Sequence, residues 1–254
     1  MERVDRPTVA TFLAPAPLAP GAGVTLGEDA AHHMRVRRIE VGERLALVDG
    51  EGAVACGTLV KLARQHAVVD VDRVERREPL PEVHVAVPVA DRDRMLWLAE
   101  KCVELGATSW RPVLWRRSRS VSPRGEGVTF TQKVRARMAA ALTQSEGAWL
   151  PVIYPDATPE RAAAAAPAGT RILLDPDGPP LLALPLTVPV TIAVGPEGGV
   201  ERDERDLLVA AGFAPASLGG HILRFETAAV GALAVVRTAL HAAAPSRPPE
   251  VVRA

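Results

Sequence analysis

Two glycine-containing loops hold the residues best suited to chemistry. The first is "GPEGG", Gly195 to Gly199, which follows the apolar run "VPVTIAV" and precedes the charged run "VERDERDLL". A strand, a glycine-rich corner and a helix in that order expose main-chain N–H groups where a small ligand can dock. Pro196 fixes one φ angle, while Gly198 and Gly199 permit positive φ and close approach to the backbone. The spacing matches neither G-x-G-x-x-G nor G-x-x-x-x-G-K-[ST], so neither dinucleotide nor P-loop chemistry follows from it. Taken alone, the corner is either a ligand wall or a tight surface turn. The second loop, within "LGGHILRFETAAVGAL" from Leu218 to Leu233, runs into an apolar helix with Arg224, Glu226 and Thr227 at the junction. These residues either handle charge and protons at a site or form an ion pair and a helix cap.

Other candidate chemistry is sparse. Cys56 and Cys102 fit no zinc or C-x-x-C spacing, which predicts free thiols in a reducing compartment, the cytoplasm. Cys102 belongs to an apolar helix face and is expected in the core. His32 and His33 find no third residue at metal-ligand spacing, so no metal is expected. The 254 residues carry a net charge of zero, and no apolar run approaches the roughly 20 residues of a membrane span. That balance conceals a basic belt: Arg111, Arg116, Arg117, Arg119, Arg124, Lys133, Arg135 and Arg137 face one acid, Glu126. Trp110 and Trp115 are interleaved with it, a composition suited to phosphate contacts and base stacking.

The elements that must position these residues fall into two groups. Up to about residue 78, "GERLALVDG", "AVACGTLVKL" and "HAVVDVDRV" alternate with period two and predict a small β-rich domain. The charged, proline-containing stretch Glu75 to Glu82 reads as a linker. From Val83 strands alternate with helices, predicting an α/β domain with a largely parallel sheet. "VHVAVPV", "SWRPVLW", "PVIY", "RILLD" and "VTIAV" are its strands. Its helices are "RDRMLWLAEKCVELG" ending at Gly106, one from about Gln132 to Gln144, one capped by Thr158 with Pro159 behind it, Glu201 to Ala211, and about Ala228 to Ala243. The last is almost wholly apolar and needs a covering surface. Residues 245–254 read as a frayed tail.

With those residues set out, "GPEGG" followed by "LGGHILRFETA" closely resembles the paired signature of the RsmE family. These are SPOUT-class methyltransferases acting on uridine N3 in 16S ribosomal RNA. "HHMRVRRIEVGE" (His32 to Glu43) resembles part of the family's PUA-like domain, and "EKCVELGATSWRPVLWRRS" (Glu100 to Ser118) its first conserved helix and strand. The likeness covers most of residues 10–242. It implies an α/β fold in which a trefoil-knotted methyltransferase domain (79–244) follows a small PUA-like β-barrel domain (1–78). It also implies a homodimer, no membrane partner, and the small ribosomal subunit as substrate.

The resemblance further implies S-adenosylmethionine held by Leu174, Gly195, Pro196, Glu197, Gly198, Gly199, Leu218, Gly219, Ile222, Leu223, Arg224 and Thr227. Arg224 would stabilise a uracil oxyanion, and Glu226 or Glu197 would accept the N3 proton. His32, His33, Arg35, Arg37, Arg38, Arg116, Arg117, Arg119 and Gln144 would contact RNA. Two departures stand out: the family usually has Arg where this chain has His221, and Thr143 to Trp149 lacks an expected Glu and Arg. The changed segment keeps two further readings open, a knotted methyltransferase on another RNA and a ribosome-binding protein without turnover. A nicotinamide enzyme is disfavoured by the glycine spacing.

Overall fold

A computed structural model describes residues 8–15, 17–120 and 124–243, the side chains of Arg119 and Ser120 excepted. The tail expected at 245–254 lies outside the described residues. The chain forms two compact units: Met1–Leu80 with Met95–Thr108 and Glu126–Ile153, and Pro81–Arg94 with Ser109–Gly125 and Tyr154–Ala254.

In the first unit, five strands form a sheet in the order β1 (Thr11–Leu13), β3 (Arg44–Val48), β4 (Ala53–Leu62), β5 (Ala67–Arg76), β2 (Gly23–Leu26). All neighbours are antiparallel except β1 and β3. Helix α1 (Glu28–Val36) buries Ala31 and Met34 in a core with Leu26, Leu45, Leu47, Leu59 and Val69. The β4–β5 ladder shifts register between Cys56 and Gly57 and again between Leu59 and Lys61, the irregularities that curl a sheet. Helices α2 (Arg92–Glu104) and α3 (Val128–Gln144) and the short β8 (Val152–Ile153) complete the elements, with the division between units passing through α2. The end of α2 is a Schellman cap: Gly106 has φ +68°, its N–H donates to Val103, and the Ala107 N–H donates to Cys102. Cys102 is buried as expected, and burial pushes its thiol up to about 12.

The second unit is a parallel sheet in the order β11 (Phe213–Ala216), β9 (Thr170–Leu174), β10 (Val190–Ala193), β6 (Val83–Pro88), β7 (Ser109–Val113). All four residues of β10 and five of six in β6 are buried, as expected of strands covered on both faces. Helix α4 (Pro159–Ala164) begins at Thr158, whose side chain accepts from the Arg161 N–H, and packs on α5 (Arg202–Ala210). The long α6 (Phe225–Ala243) packs on β6 and β10, burying Phe225, Ala229, Ala232, Leu233 and Val236. Parallel strands put all their carboxyl ends at one edge. The loops after β6, β9, β10 and β11 therefore emerge together.

Trp110 and Trp115 correct the sequence reading. Each is 1% exposed, so both are core side chains and neither can stack on a base. Their apolar area outweighs the charge of the arginines around them.

A Cβ on Gly57 would lie 2.4 Å from the Asp70 carbonyl oxygen. Because the obstacle is backbone, Gly57→Ala is expected to lower unfolding free energy by about 1–3 kcal/mol in urea titration.

Candidate active site

The site is built where those four loops meet. Behind β10, the corner turns through a Gly199 N–H to Pro196 C=O bond of 2.8 Å, with Gly199 at φ +80°, a conformation that favours glycine. Its neighbours hold it from outside. The buried Trp115 indole donates to the Val194 carbonyl at 3.0 Å, and Arg117 donates to the Gly198 carbonyl at 2.5 Å. Glu204, 6% exposed in the first turn of α5, accepts from the Arg116 N–H at 2.8 Å and the Glu201 N–H at 3.1 Å. The Arg116 guanidinium bonds Glu201 and Asp203.

Against this corner lies a cleft of about 340 Å³ whose walls include Leu174, Gly195, Pro196, Glu197, Gly199, Leu218, Gly219, Ile222 and Leu223. Gly198, Arg224 and Thr227, grouped with these on sequence grounds, are outside the lining. Asp175, Asp177, Arg205 and His221 also line it, though the local pattern did not single them out as ligand residues. Asp175 was traceable in sequence as the last residue of "RILLD", at the carboxyl end of the strand beside the corner. Among the described residues, the N–H groups of 218–223 donate no main-chain hydrogen bond, and Ile222 is 89% exposed. Unpaired donors and bare apolar side chains on one loop suit a ligand that covers both.

At the cleft edge stand four charges. Arg94, in the first turn of α2, donates to Glu197 and brings its Nε within 3.9 Å of Glu226 Oε1. Arg224 Nη1 is 4.0 Å from Glu197 Oε1. The Glu226 side chain is 12% exposed, and its Oε2 is buried with no hydrogen-bond partner. Sequence reasoning missed Arg94 altogether, since only the parallel topology brings it to residues more than a hundred positions away.

The RNA candidates are dispersed. His32, His33, Arg35, Arg37 and Arg38 are exposed on α1 and just beyond it, with Arg35 also donating to Ala63 and Arg64 carbonyls. His33 meets Phe12 edge-on. Gln144 is exposed at the end of α3. Arg116 and Arg117 serve the corner as described, and the Arg119 side chain lies outside the described residues. In the altered segment, Thr143 bonds the Ala140 carbonyl and Trp149 donates to the Arg77 carbonyl.

The chain matches the model of an RNA methyltransferase domain over residues 76–237 and that of an RNA methyltransferase PUA domain over residues 26–72. It is 32% identical over 231 residues to ribosomal RNA small subunit methyltransferase E of Synechocystis sp., covering 86% of this chain and 74% of that one. The chain belongs to this family. The Mycobacterium tuberculosis member of the small subunit methyltransferase E family is 32% identical over 248 residues, with 83% and 84% covered. The crystal structure of the Neisseria gonorrhoeae member, bound to S-adenosyl methionine, superposes with TM-score 0.82 at 26% identity, covering 91% of this chain and 97% of that one. The α/β fold with its parallel sheet and the amino-terminal PUA-like domain are thus family features.

Two outcomes follow for this member of the methyltransferase E family. Glu204→Ala leaves two N–H groups without acceptors; it is expected to cost about 1–3 kcal/mol in urea unfolding and to speed amide exchange at 195–199. Burial of Asp175 favours its neutral form, yet hydrogen bonds from Arg205 (2.6 Å) and the Asp177 N–H (3.0 Å) hold its carboxyl below the ordinary value. Its stabilisation is therefore present above the unfolded pKa and lost as pH falls through the lower folded one. Asp175→Asn should remove that part of the acid dependence of stability, read by denaturation across pH.

Proposed function

We propose that this chain methylates N3 of a uridine in the 16S ribosomal RNA of the small ribosomal subunit, using S-adenosylmethionine. The observation that carries the reading is the meeting, at one sheet edge, of a main-chain-walled cleft with the cluster Arg94, Glu197, Arg224 and Glu226. The relatives' names and the ligand of the Neisseria gonorrhoeae structure support it.

The cleft suits the cofactor. Its volume falls in the range of about 300–1,000 Å³ usual for small-molecule sites. Leu218, Ile222 and Leu223 offer apolar cover for a base, the unpaired N–H groups of 218–223 offer donors, and Asp175, Asp177 and Glu197 add carboxylates to the lining. Leu174, Gly195, Pro196, Gly199 and Gly219 supply the close backbone, with Gly198, Arg224 and Thr227 at the margin. When bound, the cofactor supplies an electrophilic methyl on a positively charged sulfur.

This chain's own residues do the rest. The cleft walls cover part of the bound cation and so reduce its solvation by water. Arg224, 61% exposed, reaches toward RNA and stabilises negative charge developing on the uracil oxygen. Glu226, at the head of α6 beside Arg94, accepts the N3 proton. Glu197, tied to Arg94, is the less available of the two carboxylates.

The same reading extends outward. A PUA-like domain (1–78) grips RNA phosphates through His32, His33, Arg35, Arg37 and Arg38, with Gln144 assisting, ahead of a methyltransferase domain (79–244). From β11 at one sheet edge the chain returns to pack α6 on β6 and β10, the kind of crossing a trefoil knot requires. An apolar groove of about 200 Å³ between Leu181–Leu186 and the end of α6, with Leu182 79% exposed, supports a homodimer. No helix among the described residues is long and apolar enough to cross a membrane. A small-subunit RNA substrate itself points to action in the cytoplasm.

Incubation with labelled cofactor and small subunits from a strain lacking the endogenous enzyme should yield 3-methyluridine by mass spectrometry. Cofactor binding with unmodified RNA would move the target elsewhere. Glu226→Gln is expected to lower kcat about a hundredfold or more with unchanged cofactor Kd; retained turnover would take Glu226 out of the reaction.

A further inference from the structure

We infer that Arg94 is a positioning residue that sets the charge of the cleft edge and so tunes how tightly a cationic ligand is held before it reacts. The inference rests on the cofactor assignment above and adds a residue to it. Arg94 stands where three loops converge. It follows β6 in the first turn of α2, its own N–H donates to Asp91 Oδ1 at 3.1 Å, its guanidinium bonds Glu197 of the β10 corner, and its Nε faces Glu226 at the head of α6. It is 33% exposed, against 61% for Arg224, whose approach to Glu197 is no closer than 4.0 Å.

The four side chains sum to zero charge. Without Arg94 the edge would carry two carboxylates and one largely exposed arginine, and Glu197 lines the cleft. Negative charge there would hold a sulfonium more strongly in the ground state. Since methyl transfer removes that positive charge, the extra attraction is lost on the way to the transition state, and the barrier rises. Arg94 thus offsets the charge of the carboxylates so that they do not trap the donor. It also fixes Glu197 against the corner, so that Glu226 and Arg224 act from set positions.

The affinities of the full chain for S-adenosylmethionine, whose sulfur is cationic, and S-adenosylhomocysteine, whose sulfur is neutral, read this field without any turnover. By calorimetry, R94Q is expected to raise the ratio of the two affinities threefold or more, and E197Q to lower it. R94K should keep it near the wild-type value. In single-turnover assays on small subunits, R94Q should be slower by tenfold or more, R94K should recover part of the loss, and R94Q/E226Q should be no slower than E226Q within twofold. An unchanged affinity ratio in R94Q and E197Q, or fully additive losses in the double variant, would overturn the role. If R94Q fails to fold, the ratio in E197Q still decides. A wild-type protein that binds the cofactor but leaves small subunits unmodified would defeat the functional reading alone, because the ratios test Arg94 separately.

Discussion

Everything at the site depends on a short stretch of backbone that cannot hold itself. Gly195 to Gly199 has two consecutive glycines and one internal hydrogen bond, from Gly199 to Pro196. Its shape is imposed by neighbours: an indole on the Val194 carbonyl, a guanidinium on the Gly198 carbonyl, and the Glu204 carboxylate tying the segment after β7 to the head of α5. Glycine is needed because the corner takes a positive φ at Gly199, and external bracing is needed because glycine is there. The arginine-rich segment after β7 therefore does at least part of its work in bracing the corner, where the half-exposed Arg116 and Arg117 meet acids and a carbonyl.

The parallel sheet turns this braced corner into a site. Four strands deliver their carboxyl ends to one edge, so the start of α2 with Arg94, the loop carrying Asp175, the corner and the segment 217–224 share a cleft region although they are scattered over about 130 residues. Two kinds of surface meet there. One is apolar side chains with unpaired N–H groups, suited to an organic ligand. The other is a balanced set of two arginines and two glutamates, suited to managing charge at its reactive end.

Much of this was legible beforehand, for identifiable reasons. Thr158 with Pro159, and Gly106, are strong local signals, and the helices they bound start and stop accordingly. Strand β4 matches its alternating run residue for residue. Where local signals were weak, elements escaped notice. Helix α1 starts behind Gly27 with no side-chain cap, and β1, β2 and β11 are only three or four residues long, the last containing Pro215. Helices α3 and α6 begin earlier than expected, at Val128 and Phe225, because neither opens on a side chain that marks a start. The tryptophans of the basic belt were misjudged because composition does not reveal burial. Arg94 was invisible because nothing in its own segment records the partners that topology brings to it.

In the proposed function, the segments 195–199 and 218–224 together hold the cofactor through their main-chain groups. Amide hydrogen exchange with and without S-adenosylmethionine measures that at the atoms concerned. The account predicts that exchange slows on binding in both segments, with no comparable slowing across β1 to β5. Unchanged exchange in 218–224 at saturating cofactor would contradict it, since those N–H groups would then remain as free with the ligand as without.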